Sequence, residues 1–139
     1  SHDIISSFCT ESEKDHNDTL SLMEKVKFDY GYMFKYSERP NTKAARKFKD
    51  DVSENVKSRR LSEIIEKQRI HSLIKNREKI GNTYKVLVEG KSKKSNDFLY
   101  GRTTHNLVTI FPKKKFSPGD YVKIKIKDCN SATLFGESI

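Results

Sequence analysis

The side chains in this sequence that could do chemistry as a group are its clustered lysines. Lys91, Lys93 and Lys94 fall within VLVEGKSKK, and Lys113, Lys114 and Lys115 form an unbroken triplet behind GRTTHNLVTIFP. Lys123, Lys125 and Lys127 then alternate with Val122, Ile124 and Ile126, and Arg102 lies between the two lysine loops. Cations so arranged suit a polyanion, because each neutralised phosphate releases condensed counterions. Phe98, Tyr100, Phe111 and Phe116 lie among them. Aromatic rings of this kind can stack on bases, although a small domain needs most of its rings for its core.

Catalytic constellations are not visible. His2, His16, His71 and His105 show no ligand spacing, and His16 and His71 are expected on solvated helix faces. The acid pairs Asp50-Asp51 and Glu11/Glu13 read as loop and helix-cap residues. The sequence has no Walker loop, no GxGxxG and no GxSxG. Cys9 and Cys129 stand in unrelated contexts without a CxxC pair, so they give neither a metal signature nor a disulfide framework. A reducing compartment, most simply the cytoplasm, is expected. No apolar run approaches the ~18 residues of a membrane helix. Ser1–Ser7 lacks the basic and apolar regions of a signal peptide, and Ser1 in place of an initiator Met points to a trimmed chain. The residues alone describe a binding module rather than an enzyme.

The charge supports that reading by where it sits. The 139 residues carry a net +9, with apolar and charged residues each at 34%. Residues 81–139 hold 11 Lys and Arg against 5 Asp and Glu, whereas residues 1–80 hold 17 against 14. The excess is therefore densest in the last 59 residues.

Two kinds of element must position these groups. In the first half, DIISSF (3–8) reads as a short, mostly buried strand. Thr10 with Glu13 reads as the capping box of a helix running to about Lys27, with Leu20, Met23 and Val26 toward a core. Phe28–Tyr36 reads as a second strand whose Phe28, Tyr30, Tyr32 and Phe34 form a core stripe. Strand, helix and strand at this length imply parallel pairing, and two strands alone do not make a stable sheet. Ser37–Asp51 is expected as a loop with a short helix at Ala44–Phe48. Glu54 to Lys79 is expected as a long helix with Leu61, Ile64, Ile65, Gln68, Leu73 and Ile74 on one face and Gly81 as its stop. After Gly81 the apolar period becomes two. Tyr84–Val88, Phe98–Thr103, Leu107–Phe111, Val122–Ile126 and Ala132–Gly136 give five short strands, with Ser117-Pro118-Gly119-Asp120 as a turn. Five strands without a helix predict a small closed, OB-like barrel with two lysine loops flanking one groove.

VLVEGKSKK, GRTTHNLVTIFP and PGDYVKIKIKDCNSATLFGE together closely resemble a TRAM domain of the kind that ends the MiaB-type tRNA methylthiotransferases. DIISSFCTESEKDHNDTLSLMEKVKFDYGYMFKYSERPNTKAA resembles the closing strands and helices of their radical-SAM barrel, and RRLSEIIEKQRIHSLIKN their linker helix. The resemblance implies an α+β fragment: an incomplete radical-SAM α/β (TIM-type) barrel segment with its linker helix over 1–75, then an all-β five-stranded TRAM barrel over 76–139. It implies a parent enzyme that uses two [4Fe-4S] clusters and S-adenosylmethionine to methylthiolate C2 of an isopentenylated adenosine beside the anticodon. The partner it implies is tRNA, held by its anticodon stem-loop on Lys91, Lys93, Lys94, Arg102, Lys113, Lys114, Lys115, Lys123 and Lys125. Tyr36 and Arg39, at the mouth end of a barrel strand, would face S-adenosylmethionine or substrate. The cysteines of both clusters are missing, so the chain is expected to hold no cluster and to catalyse nothing by itself. Self-association through the cut barrel strands is expected. Two departures from the family pattern stand out: SFCTES replaces GFPGET, putting Cys9 at a Pro-like position, and Asn41 replaces the Gly of RPGT. Asn accepts the left-handed backbone that Gly would supply. A stand-alone RNA-binding adaptor and a protein-interaction module are the alternatives.

Overall fold

Periods of three to four in the first half and of two in the second locate the elements, and the computed structural model follows both, describing residues 1–93 and 95–139. The chain divides into two units, Ser1–His71 and Ser72–Ile139.

The first unit contains β1 (His2–Ser6), α1 (Glu13–Val26), β2 (Gly31–Lys35), α2 (Lys43–Lys47) and most of α3 (Glu54–Arg77). β1 and β2 pair in parallel, with His2 opposite Gly31 and Ser6 opposite Lys35, as a strand–helix–strand of this length requires. The capping box of α1 lies two residues beyond the one expected. Ser12 accepts from the Asp15 amide, and the Asp15 carboxylate accepts from the Ser12 amide. Glu13 cannot fold back to cap because Arg59 and Arg60 hold its carboxylate. Thr10 instead has a left-handed backbone, φ 69°, and its amide donates to Asp51.

Burial in this unit departs from the apolar pattern. Only Ser6, Ser7 and Cys9 are buried in the first segment, while Ile5 is 63% exposed and Phe8 is also exposed. The expected core stripe of β2 is open as well: Tyr32 is 60% and Phe34 57% exposed, and Phe34 pairs with the exposed Ile5. On α1, Met23 is buried and Leu20 half-buried, but Val26 faces solvent. His16, expected in solvent, is 1% exposed. The buried stripe of α3 is mostly polar, running Lys57, Arg60, Ile64, Gln68, His71 at spacings of three and four, while Ile65, Ile70 and Ile74 are exposed. Polar partners explain this: Lys57 donates to Asp50, and Gln68 to the Phe28 carbonyl. Glu63 contacts His16 at 2.6 Å, Glu24 contacts the likewise buried His71 at 3.1 Å, and Arg60 donates to the Glu11 carbonyl and to Glu13. Buried cations and imidazoles are tolerated where they are paired.

The second unit is a closed barrel of β3 (Thr83–Lys91), β4 (Phe98–Thr103), β5 (Val108–Pro112), β6 (Tyr121–Cys129) and β7 (Thr133–Ser138), in the order β3-β4-β5-β7-β6. Four of its pairings are antiparallel, and β5 with β7 is parallel. This is the five-stranded, OB-like arrangement that the period of two predicts. Val86, Val88, Leu99, Phe111, Ile124, Ile126 and Leu134 fill the interior. Gly101 and Gly136 also point inward, and a Cβ at either would meet a backbone carbonyl oxygen of the neighbouring strand, at 2.1 and 2.4 Å. Gly81 does not stop α3, which ends at Arg77. It occupies a left-handed turn before β3, φ 87°, with its amide donating to the Ile126 carbonyl.

Candidate nucleic-acid interface

The turns of the barrel are built by short polar side chains, and they decide where the lysines point. Asp120 accepts from the Ser117 amide, and Gly119 takes φ 99°, closing the loop between β5 and β6. The Thr103 hydroxyl accepts from the His105 and Leu107 amides and shapes the loop between β4 and β5. The Asn130 side chain does the same for Ala132 and Thr133 between β6 and β7.

One bond joins the two lysine loops. The Lys113 amide donates to the Asp97 carbonyl at 2.8 Å, where Phe98 pairs with Pro112 at the ends of β4 and β5. Lys91, the last residue of β3, and Lys93 in the following turn are therefore at the same end of the barrel as Lys113, Lys114 and Lys115. All five are exposed. The Lys114 ammonium lies 3.5 Å from the Ser138 carbonyl. Lys94 lies outside the described residues. Lys93 also borders an apolar groove on the outer face of β4 and β5, walled by Tyr100, Val108 and Ile110. Of the aromatic residues singled out in the sequence, Phe111 belongs to the core, Tyr100 and Phe116 are half-buried, and Phe98 is exposed.

Arg102 is engaged differently. Its guanidinium lies 3.3 Å from Glu89 and donates to the Asn106 side chain at 3.1 Å, so much of its charge is answered within the barrel. Lys123, Lys125 and Lys127 project outward from β6, where alternation with the buried Val122, Ile124 and Ile126 places them. Lys127 lies 3.8 Å from Glu137. Two outward residues carry no signal of their own in the sequence: Lys85, opposite Lys123 in register, and Tyr121, opposite Leu87. The Lys85 ammonium sits 4.3 Å over the Tyr121 ring. Only the strand pairing, which sequence periodicity does not specify, brings them together.

Tyr36 and Arg39 lie in the first unit. Tyr36 follows β2, its amide donating to the Ser6 carbonyl, and its ring is packed edge-on against Phe8 at 4.9 Å. Burial pushes its phenol above the ordinary range, and the neighbouring Cys9 thiol pushes the same way. Lys57 sits 5.5 Å above the ring. Arg39 is exposed, and its carbonyl accepts from the Thr42 hydroxyl, with Asn41 between them at φ 65°, the left-handed conformation expected of that Asn. No helix among the described residues is long and apolar enough to cross a membrane.

A closed five-stranded mixed barrel bearing lysine loops is the architecture of a TRAM-domain protein, and residues 77–139 match the family model described as TRAM domain. The likeness extends further. The chain is 56% identical over 139 residues to the tRNA-2-methylthio-N(6)-dimethylallyladenosine synthase of Christiangramia forsetii, covering 100% of this chain and 29% of the relative. It is 56% identical over 137 residues to the protein of the same name from Amoebophilus asiaticus, covering 99% and 28%. For that of Flavobacterium johnsoniae the figures are 50% over 139 residues, 100% and 29%. Over its whole length the chain is similar to the C-terminal region of these synthases, and its residues 77–139 form a TRAM domain. The chain thus spans under a third of the length of these curated relatives.

An iron–sulfur cluster of the kind expected for such enzymes takes a set of Cys thiolates. This sequence has two cysteines, Cys9 buried in the first unit and Cys129 half-buried in the second. No group of three or more His, Cys, Asp or Glu able to hold a metal occurs among the described residues. The residues present do not fit a cluster.

Proposed function

We propose that this chain supplies the RNA contact of a tRNA-2-methylthio-N6-dimethylallyladenosine synthase, the cytoplasmic enzyme that methylthiolates C2 of N6-isopentenyladenosine next to the anticodon. The observation that carries this reading is the Lys113–Asp97 backbone bond, which gathers two lysine loops at one end of a closed barrel. The barrel, taken as 76–139, holds the anticodon stem-loop through Lys91, Lys93, Lys94, Arg102, Lys113, Lys114, Lys115, Lys123 and Lys125. Residues 1–75 are the closing part of a radical-SAM barrel with its linker helix, and Tyr36 and Arg39 lie on its S-adenosylmethionine or substrate side. The parallel β1–β2 pair and the names of the relatives support that assignment. The exposed Ile5, Tyr32 and Phe34 favour self-association of the isolated chain.

Titrating an anticodon-arm RNA hairpin at two salt concentrations tests the reading. Affinity is expected to fall steeply with salt. Changing Lys113, Lys114 and Lys115 to Gln should flatten the slope of log K against log salt by roughly 2. Failure to bind at low salt overturns the RNA reading. An unchanged slope in the triple variant removes the lysine triplet from the contact.

A further inference from the structure

The outer face of β3 and β6 differs from the rest of the barrel surface. Lys85 stands directly opposite Lys123 in an antiparallel pair, a like-charge arrangement that works against the sheet. Lys125 follows on the same face, roughly 6.6 Å along the strand. Among the described residues none of these three makes an ion pair, although Glu137 is the register partner of Lys125. The neighbouring charges are answered: Arg102 by Glu89 and Lys127 by Glu137. Beside the Lys85 ammonium, on the same outward face of the sheet as Lys123 and Lys125, Tyr121 is 62% exposed, with the half-buried Leu87 opposite it. The ring borders a cleft that also takes in Thr104 and Asn106. Tyr121 directly follows the Lys113–Asp120 loop, and that loop is pinned to β3 by the Gly119 and Val88 amides. The aromatic residue is thus continuous with the lysine end.

We propose that this face is a nucleotide subsite: an unpaired RNA base stacks on Tyr121 over Leu87, and the flanking phosphates lie on Lys85, Lys123 and Lys125. The subsite rests on the RNA-contact reading and adds a place and a ligand class to it. An ammonium over an exposed ring is a weak contact. A base stacks more strongly, and it frees Lys85 to turn to a phosphate. A phosphate between Lys85 and Lys123 also removes their mutual repulsion. The preference is for single-stranded or loop RNA, because bases within a duplex are already stacked.

The chain contains no tryptophan, so Tyr121→Trp creates a sole reporter at the site. With an anticodon-arm hairpin, Tyr121→Ala should bind about tenfold more weakly with an unchanged salt slope. Tyr121→Trp should retain affinity and show quenched emission on binding. Lys85→Gln with Lys123→Gln should lower the slope by roughly 1.4. A fully paired RNA duplex should bind Tyr121→Ala and the unmodified chain alike. If Tyr121→Ala binds the hairpin as tightly as the unmodified chain does, or the emission of Tyr121→Trp does not move in the saturated complex, the subsite is overturned while RNA contact stands. If the unmodified chain does not bind at low salt, both readings fall.

Discussion

Gly101 shows how little room the barrel leaves. An added Cβ would lie 2.1 Å from the Leu87 carbonyl oxygen and 2.8 Å from a Val86 methyl carbon, and a backbone oxygen cannot swing aside. Gly101→Ala should lower barrel stability by about 1–3 kcal/mol in urea unfolding. Gly90→Ala is the control, since its nearest neighbour is the Tyr100 ring at 3.3 Å. An equal midpoint shift for the two would contradict the packing described. At the same scale, the capping of α1 separates two threonine and serine residues that look alike in sequence. Ser12→Ala should cost about 1 kcal/mol, whereas Thr10→Ala removes no cap. Thermal melts of the two variants decide which residue starts the helix.

Among the elements, α1 and α3 are linked by a set of ion pairs beside the buried Met23 and Ile64. Bonds from Arg59 and then Arg60 hold the Glu13 carboxyl below its ordinary 4.5. Lys67, then His71, does the same for Glu24, and His16, then Arg59, for Glu63. A carboxyl depressed in the fold contributes stability that is present above its unfolded value and lost as pH falls through the folded one. The helical circular-dichroism signal should therefore hold from pH 7 to about 5 and weaken below 4.5 as these acids protonate. A helix signal constant down to pH 3 would show that the pairs contribute nothing. This charge network also explains what sequence could and could not convey. Strict alternation of Val122, Ile124 and Ile126 with lysines fixes which face of β6 is inside, because nothing else competes for the interior of a small barrel. Along α3 the apolar residues mislead: Ile65, Ile70 and Ile74 face out, and Lys57, Arg60 and His71 go in. Pairing of Arg60 and His71 with acids more than forty residues earlier, and of Lys57 with Asp50 ahead of the helix, reverses the pattern, and no local period records it. The lysine loops are legible for the opposite reason, being contiguous in sequence. Lys85 and Tyr121 meet only through strand register.

Taken whole, the chain joins two units of unequal self-sufficiency. β1 and β2 form a two-stranded sheet whose aromatic face is open, and such a pair is marginal without further partners. The barrel pairs every strand on both sides. Hydrogen exchange should find the amides of β3, β6 and β7 among the slowest and those of β1 and β2 markedly faster. Equal protection in both would mean that the first unit has acquired covering, by self-association or otherwise. The strand order has a further effect, on timing. β7 comes last in sequence yet sits between β5 and β6, so the ring cannot be completed while it is still being synthesised. Until then β5 and β6 each present a bare edge to the crowded surroundings of the ribosome, and the lysines along β6 keep one of those edges from templating a neighbour.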